Sequence, residues 1–248
     1  MSLKGRAALV TGAARGSGLA TARSLCGKQM RVALNDIDER ACRQATQSLR
    51  AEGFDVTACP GDVSKRADVD RIFSGLDPLW LLVNNAGAFH SAPTEEFTEE
   101  AWDHAFAIDV KAVFLCSQAF IRQRPRDADG RIVVVSSIAG AIVRTGQIAY
   151  CSAKAAAIHY TRCLAVEVAP RGITVNCICP GMTDSGMLRQ TADARGLDVR
   201  EYVRMIPSGR LAKPEDHADT IEWLASDEAA HVTGILPKLP IFLTKPAL

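Results

Sequence analysis

Apolar residues along this chain fall into short unbroken runs, separated by longer segments in which they recur at every third or fourth position. Six runs stand out: Ala7–Val10, Arg31–Leu34, Val56–Cys59, Trp80–Val83, Arg131–Ser136 and Ile173–Cys179. Runs that are this short and nearly all apolar, instead of alternating, predict strands covered on both faces, and the helical spacing between them predicts crossover helices. The expected fold class is α/β, a doubly wound parallel sheet. No linker rich in Pro, Gly or Ser divides the chain, so 1–248 is expected to form a single domain.

Two stretches break the pattern. Residues 182–206 are polar and charged after a Pro180-Gly181 turn, and are expected to pass over the carboxyl edge of the sheet, where ligands bind in such folds. Near the end, Pro237 and Pro240 lack ladder donors and confine any strand there to an edge or an irregular run. Only 61–77 separate the third and fourth strand regions, which predicts a short helix between them.

Charge excludes some partners. Lys plus Arg number 29 against 28 for Asp plus Glu, a net charge of +1, so no field collects nucleic acid or an anionic membrane. No apolar stretch approaches the roughly 20 residues of a bilayer span, and the first strand starts at Ala7, too early for a signal peptide; a cytoplasmic address is expected. The eight cysteines form no C-x-x-C and the five histidines no ligand pattern, so neither a metal site nor a disulfide framework is expected. Each histidine is read as a surface or satisfied interior residue.

The candidate chemistry sits where strands end. After the first strand, Thr11-Gly12-Ala13-Ala14-Arg15-Gly16-Ser17-Gly18 opens a helix, a turn whose backbone can approach a pyrophosphate at a helix N-terminus. Asp36 follows the second strand, 24 residues after Gly12, where a carboxylate accepts hydrogen bonds from an adenosine ribose and repels a 2′-phosphate. That favours NAD over NADP, with Arg15 as the cation arguing the other way. Tyr150 and Lys154 share one helix face over about 150–169, and an ammonium beside a phenol stabilises the phenolate, making tyrosine a proton shuttle for an alcohol or ketone oxygen. Ser137, at the end of the fifth strand, reaches the same edge.

With Asn84-Asn85-Ala86-Gly87 after strand four, Asp62-Val63 after strand three and Pro180-Gly181 after strand six, these motifs resemble those of single-domain short-chain dehydrogenases/reductases from about residue 3 to 234. The resemblance implies a Rossmann-like fold and hydride transfer between NAD(H) and a secondary alcohol or ketone. It implies Tyr150 as acid/base, Lys154 tuning it and holding the nicotinamide ribose, and Ser137 orienting the substrate oxygen. Gly12, Arg15, Gly16, Ser17, Gly18, Asp36, Asp62, Val63, Asn85, Ala86, Gly87, Pro180, Gly181 and Thr183 are the implied cofactor residues. It also implies a homodimer or homotetramer built through helices at about 98–124 and 150–169.

Asp109 departs from the family, which has asparagine there. An ionised carboxylate cannot donate a hydrogen bond, so Asp109 weakens the water relay to Lys154 that the resemblance implies, or is held protonated by burial, or is tolerated because a backbone carbonyl does the work. The stretch 143–150 is similar to that of 2,3-dihydro-2,3-dihydroxybenzoate dehydrogenases, which makes Arg144 and Gln147 substrate candidates, Arg144 pairing with a ring carboxylate. The plainer reading of Arg144 is a solvated loop cation. A 3-oxoacyl-carrier reductase using NADPH, and an NAD-binding module without turnover, are the rival readings.

Overall fold

The computed structural model describes residues 3–186, 188–189, 192 and 198–239, with the side chains of residues 202, 238 and 239 left aside. The remainder of the 182–206 excursion and the tail from Pro240 onward lie outside the described residues. Seven strands form one sheet: β1 (Ala7–Val10), β2 (Arg31–Leu34), β3 (Val56–Ala58), β4 (Leu81–Asn84), β5 (Gly130–Val135), β6 (Ile173–Pro180) and β7 (Lys238–Leu239). Their order is β3-β2-β1-β4-β5-β6-β7, and every pairing is parallel. The six predicted strands are all present, with ends displaced by no more than one residue.

Helices α1 (Gly16–Gly27), α2 (Glu39–Ala51), α3 (Arg66–Ser74), α4 (Glu99–Phe106), α5 (Ala112–Gln123), α6 (Ile148–Val168), α7 (Val199–Arg204) and α8 (Pro214–Ala225) surround it. Strand residues divide by parity between two cores. Leu9, Leu82 and Val175 pack with α3, α5 and α6 on one face. Val10, Val83 and Ile178 pack with α1, α2 and α8 on the other. Burial on both faces explains why these strands read as continuous apolar runs. α3 has only 9 residues, as the short connection predicts.

The seventh strand was not resolved by the apolar pattern. The chain from Gly234 runs beside β6, with Gly234 N–H donating to Val175 O (2.8 Å), Cys177 N–H to Ile235 O (3.1 Å) and Cys179 N–H to Pro237 O (2.9 Å). Pro237 contributes only its carbonyl, and the two-residue strand that follows occupies the edge, as a proline-flanked strand must. Between α4 and α5, Ala107–Lys111 winds as a π-helix, joining both into one run from Glu99 to Gln123. That run is long and apolar enough to cross a membrane, contrary to the expectation that no stretch comes close; half of its apolar window is buried inside the fold instead.

Because β1 lies between β2 and β4, successive crossovers leave it in opposite directions, and a crevice opens at the carboxyl ends of β1 and β4.

Candidate active site

The first wall of the crevice is the glycine turn. No side chain caps α1, which leaves its first-turn amides as donors for an anion. A Cβ on Gly18 would sit on the Gly12 carbonyl and within 2.6 Å of Asn85 Nδ2, so only glycine fits there. Asn85 braces the turn: its Nδ2 donates to Thr11 O (2.9 Å) and Gly12 O (3.1 Å), while Thr11 Oγ1 accepts from the N–H groups of Asn85 and Ala86. A cradle shaped by absent side chains at an uncapped helix start fits a pyrophosphate.

Asp36 stands at the rim, but its carboxylate is engaged by the protein. Oδ2 accepts from Ala14 N–H and Oδ1 from Asp38 N–H, both at 3.1 Å, and the residue is 7% exposed. Arg15 reaches outward to Asp38 at 3.4 Å. Asn35, which the sequence reading passed over, ties β2 to the next loop through Cys59 O (2.9 Å) and Gly61 O (3.0 Å). Asp62 accepts from Ser64 N–H and Oγ; burial opposes its charge, but these bonds and Lys65 outweigh that and hold its pKa below the ordinary value. Val63 is buried in the core.

The opposite wall carries Ser137, Tyr150 and Lys154. Tyr150 and Lys154 lie on the first turns of α6, the Lys154 Nζ 5.7 Å from the centre of the Tyr150 ring. Phe89, from the loop after β4, meets that ring edge-on with centroids 5.1 Å apart. Ser137 Oγ accepts from Ala139 N–H (3.1 Å), and its neighbour Ser136, also missed, donates from Oγ to Lys154 O (2.9 Å) and so fixes α6 against β5. Lys154 is held on three sides. Its Nζ donates to Val135 O at 3.2 Å and lies 2.9 Å from Asp109 Oδ1, and a side chain on Gly87 would crowd both Asp109 and Nζ. Burial alone would lower the ammonium's pKa; the charges of Asp109 and Tyr150 outweigh it, and the pKa is raised. The carboxylate thus meets the ammonium directly.

Pro180 and Gly181 end β6 beside this wall, and Thr183 Oγ1 lies 3.3 Å from Gly181 O. Gln147 is buried and Arg144 half-buried on the loop leading to α6, a loop tied to its neighbour by Ala92 N–H donating to Gly146 O at 3.0 Å. Among the described residues, no cluster of three or more His, Cys, Asp or Glu is arranged to hold a metal.

A parallel sheet with its crevice at the switch point, a glycine cradle on one side and a Ser, Tyr, Lys set on the other define a dinucleotide-dependent oxidoreductase. Residues 6–196 match the short chain dehydrogenase family, and the chain belongs to it. It is 34% identical over 242 residues, covering 93% of each chain, to 2,3-dihydro-2,3-dihydroxybenzoate dehydrogenase of Bacillus subtilis (strain 168). It is 33% identical over 235 residues, 94% of this chain and 95% of the other, to the 3-oxoacyl-acyl-carrier-protein reductase of Escherichia coli (strain K12). Among solved structures, actinorhodin polyketide ketoreductase with NADPH superposes with a TM-score of 0.92 at 26% identity, over 97% of this chain and 98% of that one.

That last likeness overturns the expectation that NAD is favoured over NADP: so similar a fold holds NADPH. The physical reason lies in Asp36. A carboxylate that already accepts two backbone N–H bonds, one from the glycine turn and one from its own, is a weaker discriminator of the ribose than a free strand-end acid.

Proposed function

We propose that this NAD(P)-dependent oxidoreductase interconverts a secondary alcohol and a ketone, with Tyr150 as the acid/base, Lys154 as the cation beside it and Ser137 as the hydrogen-bond partner of the substrate oxygen. A bound nicotinamide dinucleotide supplies or accepts the hydride. The Tyr150 hydroxyl gives a proton to the substrate oxygen in reduction and takes it back in oxidation. Lys154, kept charged by Asp109, favours the phenolate through its field. The observation that carries this reading is the 5.7 Å approach of Lys154 Nζ to the Tyr150 ring, fixed by the buried Asp109 pair at the crevice edge.

Within that class, the substrate reading supported by Arg144 is a cyclic diol bearing a ring carboxylate, for which a guanidinium on the loop before Tyr150 is a suitable anchor. The 34% identity to a dihydrodihydroxybenzoate dehydrogenase supports the same reading. Exposed Trp102, Phe114 and Val166 on α4, α5 and α6 support assembly as a homodimer or homotetramer through these helices.

The test is absorbance at 340 nm with each dinucleotide and a panel of ketones, secondary alcohols and carboxylated cyclic diols. Turnover that Tyr150→Phe cuts by roughly 100-fold or more supports the assignment. Dinucleotide binding without turnover across the panel would point to a binding module instead.

A further inference from the structure

His217, on the first turn of α8, is 2% exposed, and both its ring nitrogens are engaged. Nδ1 lies 2.9 Å from Ser17 Oγ and Nε2 lies 3.2 Å from Thr183 Oγ1. These partners belong to different walls of the crevice. Ser17 is the second residue of α1, inside the glycine turn, and Thr183 follows the Pro180-Gly181 turn at the end of β6.

Proton counting allows the ring one donated and one accepted bond. Burial, opposed by the charges of Asp216 and Glu215, holds the imidazole pKa below its ordinary value, so the ring is neutral and carries one N–H. The Thr183 hydroxyl has one proton and the Gly181 carbonyl as acceptor at 3.3 Å. In one tautomer Ser17 donates to Nδ1 and Nε2–H to Thr183, whose proton goes to Gly181 O; in the other Nδ1–H donates to Ser17 and Thr183 to Nε2. Either way the ring joins Ser17 to Thr183.

The platform under the ring is fixed as well. Asp216 accepts from Lys213 N–H at 2.8 Å and pairs with Arg210. Just before α8, Ala212 N–H donates to Met182 O (2.9 Å) and Asp184 N–H to Ala212 O (2.8 Å). The segment carrying Thr183 is therefore bound to the base of α8 by backbone and to its first turn by the ring.

We propose that His217 is a positioning residue for dinucleotide binding, a latch that holds the first turn of α1 in register with Gly181 and Thr183 so that the two walls bind the cofactor as one preset unit. This rests on the reading of the crevice as the dinucleotide site. Presetting lowers the ordering cost that binding otherwise carries.

Calorimetric titration with NADH and with NADPH, in the absence of substrate, tests it on the wild type, His217→Leu, His217→Asn, Ser17→Ala and Thr183→Val. Loss of both ring bonds in His217→Leu is expected to weaken dinucleotide binding about tenfold. His217→Asn, whose amide can still meet Ser17, should fall between. Thr183→Val should cost about threefold in the wild type and nothing further beside His217→Leu. A purely structural histidine would lower Tm in both His217 variants and leave the binding constants alone, which overturns the proposal, as does an equal Thr183→Val cost in both backgrounds. If His217→Leu does not fold, the Ser17→Ala and Thr183→Val pair decides: losses smaller together than their sum support the latch, and additive losses overturn it. A wild type that binds neither dinucleotide sinks the cofactor-site reading itself, whereas a wild type that binds while its variants match it sinks only the latch.

Discussion

Lys154 and Asp109 form an ion pair inside the protein, Nζ to Oδ1 at 2.9 Å, with side chains 6% and 0% exposed. Neither oxygen of Asp109 receives a well-directed hydrogen bond among the described residues, so the pair is held by charge more than by geometry. Removing one member of such a pair strands the other. Asp109→Ala should destabilise the protein by about 3–5 kcal/mol, and Asp109→Asn by less, measured by urea unfolding.

The same pair sets an alkaline limit. Because the folded-state pKa of Lys154 is raised, its contribution to stability is fully present below the unfolded pKa of about 10.4 and is lost as pH rises through the folded value. Asp109→Asn should flatten that alkaline decline. Superimposable alkaline unfolding curves for the two proteins would contradict the coupling.

Asp36 joins the glycine turn to the end of β2 through Ala14 N–H, while Asp38 N–H holds its other oxygen. Asp36→Ala is therefore expected to weaken NADH and NADPH binding by similar factors, about tenfold each, since hydrogen bonds to a charged acceptor are worth about 1.5–3 kcal/mol. A change of preference without loss of NADH affinity would show that the carboxylate acts on the ribose instead.

Gly18→Ala places a methyl group against the Gly12 carbonyl and Asn85. The turn must open to admit it, and dinucleotide affinity should drop at least 100-fold, on the order of 3 kcal/mol, with far-UV circular dichroism unchanged.

On the acid side, His217 is buried with a lowered pKa. The unfolded chain takes up its proton near pH 6.5 while the folded ring resists. Stability from this group is full above about pH 6.5 and declines as pH falls toward the folded value. Calorimetric Tm between pH 7.5 and 5 (about two and a half units spanning that pKa) should fall more steeply for the wild type than for His217→Leu; parallel curves would remove His217 from the account.

Most of the scaffold was legible because it is encoded locally. Leu9 and Val10, or Leu82 and Val83, are apolar neighbours only because helices cover both faces of their strands. The glycines of the first turn and the four-residue spacing of Tyr150 and Lys154 likewise carry their meaning within one turn of chain. What escaped depends on contacts between distant segments. The direction of the Asp36 carboxylate is set by Ala14 and Asp38, and His217, readable only as a surface or satisfied interior residue, meets a hydroxyl 200 positions away. Ser136 differs from Ser137 only in which side of β5 it leaves. β7 escaped for another reason: two residues beside prolines give no periodicity to detect.

The wide turn at Ala107–Lys111 decides which way Asp109 points. A π turn holds one residue more than the α-helix on either side of it, so removing Ala107 or Ile108 would let the run close as ordinary helix and turn Asp109 by about 100°, off its lysine. A one-codon deletion would thus part the carboxylate from the ammonium while both residues stayed in the chain, so the winding of this segment matters to the pair as much as its lettering.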